Sequence, residues 1–412
     1  MRHIYLDHQA ATPLRPEVRA VMEPFLGDRF GSPGSLHHLG METREAMATA
    51  RAQTAALINA ERPECLIFTS DGTESTNLAI KGMAFARRAR GRHLIVTQAE
   101  HPAILESAAF LEGLGFTCTR LPVNAEGFFD PCEMDRAFTP ETFLIATHLA
   151  NHDIGTIQRV EEAARLAQAK GIPLFIDAEA AVGWSPVDVQ ALGADLLSFS
   201  PRRFYGPPGI GVLYCRRGMR PENLIHGGVQ EEGRRAGVEN VAGIVGAGMA
   251  SEIAVKELPR RMVEMRKLQE RLWAGIAKKV SLVRLNGPTP GLRRMPVNLN
   301  VSAEFTEGEG LLLMLDMQGI QVASGSACLG KSVRMPPVLK AIGLPPELAV
   351  ANIIISPGMT NTEEEIDRFI DAYASVVERL RGMSPAWDDY QQGTLKSALA
   401  GDPSVCRQGV VK

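Results

Sequence analysis

The chain has 412 residues, with 44 lysines and arginines against 47 aspartates and glutamates and a formal net charge of -3. Its 45% hydrophobic and 22% charged residues are the balance of an ordinary globular protein, which excludes a disordered or collagen-like chain. A charge this near zero also argues against a dedicated nucleic-acid binder, which carries a strongly basic face.

Read from the N-terminus, Met1-Arg2-His3 is followed by Ile4-Tyr5-Leu6 and then Asp7, too short an apolar run for a signal peptide. No window approaches the roughly 18 uninterrupted apolar residues of a membrane span. A soluble, cytoplasmic protein is the expectation, with residues 1–15 as an N-terminal arm. Short apolar runs at 66–68, 93–96, 143–146, 174–176, 196–199 and 211–214 read as strands, and 76–88 and 160–169 as helices between them. Strand–helix alternation with strands this short and apolar predicts an α/β fold: a mostly parallel sheet covered by helices. This large domain is assigned to residues 16–250.

From Ser251 the texture changes. A charged helical stretch at 262–279 leads to an alternating strand-like run at 297–301. An apolar helix at 311–317, short strands at 320–323 and 352–356, and a helix at 362–381 follow. Residues 251–383 therefore read as a smaller C-terminal α+β domain. The polar, Gly- and Pro-containing tail, 384–412, is expected to be partly ordered at best. The six cysteines (Cys65, Cys118, Cys132, Cys215, Cys328 and Cys406) lie far apart with no CxxC pair, so reduced thiols are expected and no metal site.

Three local motifs suggest chemistry. Phe68-Thr69-Ser70-Asp71-Gly72-Thr73-Glu74-Ser75 ends a strand and starts a helix. It reads either as an anion cup at a helix N-terminus or as a plain cap by Ser70 or Asp71. Phe175-Ile176-Asp177-Ala178 sets a carboxylate at a strand end, where α/β sheets bind ligands, although structural aspartates also cap turns there. Ser324-Gly325-Ser326-Ala327-Cys328-Leu329-Gly330 is a loop bearing one thiol, either a nucleophile or an inert cysteine.

Taken together and in order, the motifs resemble the cysteine desulfurases, class-V aminotransferases of the fold-type I pyridoxal-phosphate group. The resemblance rests on Tyr5-Leu6-Asp7-His8-Gln9-Ala10-Ala11-Thr12-Pro13, Thr73-Glu74-Ser75-Thr76-Asn77, Glu100-His101, Asp153-Ile154-Gly155-Thr156, Asp177-Ala178 and Ser198-Phe199-Ser200. Tyr205-Gly206-Pro207, Glu239-Asn240-Val241-Ala242-Gly243 and the Cys328 loop continue it. It implies a homodimer whose large domain holds pyridoxal phosphate through Thr73, His101, Asp177 and Ser200, and whose mobile Cys328 loop accepts sulfur.

The same alignment implies that the pocket is altered. The family's Schiff-base lysine corresponds to Arg203 in Ser200-Pro201-Arg202-Arg203, and a guanidinium has no free amine lone pair. The family's glutamine on the cofactor ring is Ala180, its second asparagine is His152, and its phosphate cup begins with Asp71. Its partner-reaching threonine is Val238, and its substrate-carboxylate arginine is Ile354. Arg202 and Arg203 would either neutralise Asp71 and Asp177 or make an anion pocket. Lys331 would either favour the Cys328 thiolate or stand as a solvated lysine. His148 and His152, on a strand and the following turn, are not read as metal ligands.

Three functions follow as expectations. The first is a cysteine desulfurase-like protein of sulfur or iron–sulfur metabolism that does not desulfurate cysteine by pyridoxal chemistry. It would hold no covalent cofactor, with non-covalent pyridoxal phosphate doubtful, and would carry sulfur on Cys328 or serve a sulfur-acceptor or scaffold protein. The second is an enzyme whose remodelled pocket acts on an anionic substrate. The third is a non-catalytic partner subunit of an active paralogue, as a heterodimer rather than a homodimer.

Overall fold

The computed structural model describes residues 3–325 and 335–399. Its strands, in chain order, are β1 (Ile4–Tyr5), β2 (Leu66–Thr69), β3 (His93–Thr97), β4 (Thr117–Leu121), β5 (Thr142–His148) and β6 (Leu174–Asp177). They continue as β7 (Leu196–Phe199), β8 (Gly211–Cys215), β9 (Val283–Asn286), β10 (Leu299–Ala303), β11 (Ile320–Gln321) and β12 (Asn352–Ile355). β2 to β8 form one seven-stranded sheet in the order β2-β8-β7-β6-β5-β3-β4. Every neighbouring pair is parallel except those made by β8, which runs antiparallel to β2 and β7. This is the expected mostly parallel sheet.

Both faces are covered, and the side chains show it. Along β3, Leu94 and Val96 join one apolar cluster while Ile95 joins the other; along β6, Phe175 faces away from Leu174 and Ile176. A two-residue period with apolar residues at every position is what a sheet buried on both faces requires. β4 escaped the sequence reading because its edge sequence, Thr-Cys-Thr-Arg-Leu, buries only Leu121.

The helix Val241–Lys279 runs unbroken through residues 250 and 251, where the sequence texture changes. Its first half is rich in buried Gly and Ala and packs along the helix His38–Leu57; its second half packs on the helix Glu363–Arg381. A Cβ on Gly248 would stand 2.5 Å from the Ala50 Cα, so close backbone approach explains the glycine there. The change of texture thus marks a change of neighbours along one helix.

The second sheet is antiparallel, in the order β12-β10-β9. The run expected at 297–301 is displaced to Leu299–Ala303, and all its residues are buried. Its alternating polar side chains are paired inside. Asn286 Nδ2 donates to Asn300 Oδ1 and Ser302 Oγ, each at 2.8 Å, and Asn298 Nδ2 donates to Gln9 Oε1 at 2.7 Å. Buried amides are tolerated when they bond one another. The N-terminal arm lies against this half, with β1 parallel to β11 and Asp7 bridged to Ser356. Past Ser384 the helix Pro385–Gln391 stacks Trp387 on Tyr390, and Glu304 accepts bonds from Ser397 and the Ala398 amide.

Among the described residues, no helix is long and apolar enough to cross a membrane.

Candidate active site

The C-terminal ends of β2, β3, β5, β6 and β7 open onto one place, as expected for ligand sites of parallel sheets. The turns that follow them bring Asp71, Thr73, His101, His148, His152, Asp177, Glu179, Ala180, Arg202 and Arg203 around a cavity of about 80 Å³.

One wall is the N-terminus of the helix Gly72–Arg87. Asp71 is its cap: Oδ1 accepts the Glu74 amide at 2.8 Å, and Glu74 Oε2 accepts the Ser70 amide at 2.8 Å in return. Arg235 Nε holds Glu74 Oε1 at 2.9 Å. Of the two sequence readings of this motif, the cap is therefore realised. Ser200, just past β7, accepts the Gly72 amide at 2.9 Å and donates to Glu179 Oε1 at 2.8 Å. The Glu179 carboxylate lies directly on Gly72, where an added Cβ would come within 1.6 Å of Oε1.

Arg203 ends the short turn Pro201–Arg203. Its side chain is 12% exposed, and Nε stands 3.5 Å from Glu179 Oε2. That Nε makes no hydrogen bond. Trp184 Nε1 donates to the Arg203 carbonyl at 2.7 Å and fixes the turn. The sequence suggested Asp71 and Asp177 as counter-charges for the arginines. For Arg203 this is corrected: its ion pair is with Glu179, because the turn after β6 swings that side chain toward the helix end while Asp177 stays on the strand. Arg202 reaches the N-terminal arm instead, donating to the Ala10 carbonyl at 2.5 Å. Asp7, on the same arm, is pushed up to about 6 by burial, partly opposed by Arg203.

The floor is a buried acid–imidazole group. Glu100 accepts from Thr97 Oγ1 at 2.7 Å, from the His148 amide at 2.9 Å and from His148 Nδ1 at 2.7 Å. Burial opposes the His148 charge, but Glu100 outweighs it and holds that imidazole above its ordinary value. Asp177 is pushed up to about 7 by burial, with the Glu179 carboxylate adding to the effect.

His101 and His152 meet edge to face, ring centres 4.9 Å apart. Burial lowers both to about 3, and each is further discouraged from charging by a neighbouring histidine and by Arg203. His101 Nδ1 accepts the Ala103 amide, capping the helix Pro102–Glu112, so its proton sits on Nε2. The pocket thus combines the neutral imidazoles of His101 and His152, an aspartate raised by burial and the enclosed Arg203–Glu179 pair.

Of the residues singled out from sequence, the cavity unites Asp71, Thr73, His101, His152, Asp177, Ala180, Arg202 and Arg203, with Ser200 directly behind them. Val238 lies apart, 82% exposed in a separate hollow with Arg235 and Asn240. Ile354 is buried in β12 and exchanges backbone bonds with Ala323, away from the cavity lining. Cys328 and Lys331 lie outside the described residues. Sequence reasoning missed Glu100, His148 and Glu179 as members of the site. Glu179 carried a signal, since Asp177-Ala178-Glu179 puts a second carboxylate at one strand end. Among the described residues no group of three His, Cys, Asp or Glu side chains is placed to hold a metal.

The aminotransferase class-V family model matches residues 4–369. A "Cysteine desulfurase IscS" from Dictyoglomus turgidum is 46% identical over 93% of this chain and 97% of its own length. Another of that name from Clostridium botulinum is 44% identical over 95% of this chain and 98% of its own. Among solved structures, a NifS-like protein superposes with a TM-score of 0.86 at 34% identity, covering 92% of this chain and all of the other. A structure described as SspA in complex with cysteine reaches 0.75 at 32% identity, over 86% of this chain and 98% of that one.

Proposed function

The chain belongs to the class-V aminotransferase family, in its cysteine desulfurase group, and from that premise we propose that it serves sulfur or iron–sulfur metabolism without desulfurating cysteine by pyridoxal chemistry. One observation carries the reading. The residue at the Schiff-base position is Arg203, enclosed in the pocket and held against Glu179. A guanidinium stays protonated at physiological pH and offers no amine to a pyridoxal aldehyde. The nearest lysines in sequence are Lys170 and Lys256; Lys170 sits on the far end of its helix beside Asp135, and Lys256 is paired with Glu252 on the surface.

The residues present therefore do not fit a covalently anchored pyridoxal phosphate. Ile354, at the position of the family's carboxylate-binding arginine, supports the same reading from the substrate side. Losing a bidentate clamp removes a charge-assisted interaction of about 1.5–3 kcal/mol.

In this role the protein is a cytoplasmic dimer, with itself or with an active paralogue. Cys328 carries sulfur received from another protein's persulfide: its thiolate attacks the outer sulfur and the donor thiolate leaves. The same protein presents that sulfur to an acceptor or scaffold protein. The reading of an enzyme acting on an anionic substrate has less support, since Arg203 already has an internal carboxylate partner.

The test is the absorption spectrum of protein purified with pyridoxal phosphate supplied, paired with sulfide release from cysteine. A colourless protein with no sulfide release is expected. A Schiff-base band together with sulfide release at the rate of an active desulfurase sinks the proposal. An unaltered cellular phenotype for Cys328→Ala removes the carrier role.

A further inference from the structure

The helix Gly72–Arg87 turns its N-terminus to the pocket, and several of the amides at this end are engaged by the chain itself. The Gly72 amide goes to Ser200 Oγ, the Glu74 amide to Asp71 Oδ1, the Ser75 amide to the Asp71 carbonyl, and the Ser70 amide to Glu74 Oε2. The Ser200 hydroxyl in turn donates to Glu179 Oε1. Three carboxylates, Asp71, Glu74 and Glu179, thus converge on one helix terminus. A helix N-terminus attracts negative charge, and here that charge is supplied from within. Glu179 is the member that reaches over the terminus, its oxygen resting on the Cα face of Gly72.

Resting on the functional reading above, we propose that Glu179 is a built-in anion. Its carboxylate takes the place at the helix terminus that a phosphate ester would need, and Arg203 is its counter-ion. Glu179 is then a specificity-determining residue: it sets the charge class of ligand the pocket admits, excluding phosphate monoesters independently of the missing lysine. A phosphate entering here would have to displace the carboxylate from Ser200, strip Arg203 of its partner, and stand beside Asp71 and Glu74. Restoring a lysine at position 203 removes one barrier and leaves the other.

The experiment is a pyridoxal-phosphate titration of wild type, Arg203→Lys, Arg203→Lys/Glu179→Ala and Arg203→Lys/Glu179→Gln. It is read by Schiff-base absorbance and by the mass gained after borohydride reduction. The glutamine variant keeps the size and the acceptor for Ser200 while removing the charge, and circular dichroism verifies that each variant is folded. In parallel, inorganic phosphate is titrated calorimetrically into wild type and Glu179→Gln with Arg203 kept.

The expected result is that both double variants bind pyridoxal phosphate at least tenfold more tightly than Arg203→Lys alone, and that Glu179→Gln gains affinity for phosphate. Equal binding by Arg203→Lys and the double variants overturns the proposal, as does absence of binding by folded double variants. A Schiff base in the wild type would instead refute the functional reading. The ratio between the single and double variants still judges Glu179.

Discussion

Replacing Asp177 with asparagine should make this protein more stable at alkaline pH and leave it nearly unchanged in acid. Asp177 is 5% exposed at the end of β6. Burial raises it, the Glu179 and Glu100 carboxylates add to this, and the Glu179 amide and His148 oppose it, leaving it at about 7 against an ordinary 3.8. A folded-state value above the unfolded one means that the native protein retains a proton the unfolded chain has released. Stability therefore falls as pH rises from about 4 to 7 and levels off above. A displacement of that size corresponds to at most about 4 kcal/mol, and dielectric relaxation around a buried group reduces it to about 2–4 kcal/mol. Asparagine keeps the oxygen that accepts the Glu179 amide, 3.0 Å away, and cannot ionise. The assay is the urea midpoint of wild type and Asp177→Asn at pH 5 and pH 8. An advantage that is largest at pH 8, smaller at pH 5 and absent below about pH 4 is expected. A variant that is no more stable at pH 8, or equally shifted at both, refutes the reasoning.

Glu100→Ala should be among the most damaging single changes in the site. It leaves His148, its amide and the Thr97 hydroxyl without their acceptor, costing about 3–5 kcal/mol. In wild type the Glu100–His148 contribution is full below pH 6.5 and is lost as pH rises through the raised folded value; imidazole NMR of His148 should show that elevation and its disappearance in Glu100→Gln. Gly72→Ala should cost about 1–3 kcal/mol in thermal or urea unfolding, since its Cβ would collide with Glu179; no loss would mean that Glu179 is not seated there. At the far end of the fold, Thr362→Ala breaks the capping box with Glu365 and should lower stability by about 1 kcal/mol in the same assay.

The parallel sheet and six of its seven strands were legible as local pattern, while the membership of Asp71, His101, Asp177 and Arg203 in one pocket was legible through the resemblance to the cysteine desulfurases. Strands buried on both faces are short apolar runs, and ligand sites gather at their C-terminal ends, so local pattern and position carry the information. β4 was illegible because an edge strand with polar side chains has no apolar period to detect. In the second sheet the strand was legible, displaced by two residues, but the burial of its polar face was not. Asn298 and Asn300 alternate like a solvated face, and only the arrival of Gln9 and Asn286 from distant segments lets them be buried.

What the sequence determined by itself is chemical identity: position 203 is an arginine, whose guanidinium offers no free amine in any fold. What tertiary structure decided is pairing. Residue types alone could not say whether Arg203 would meet Asp71, Asp177 or a ligand, because a charged side chain takes whichever opposite charge the backbone brings within a few ångströms. The turn after β6 brings Glu179, and a carboxylate that reads as incidental in the chain becomes the group seated on the helix terminus.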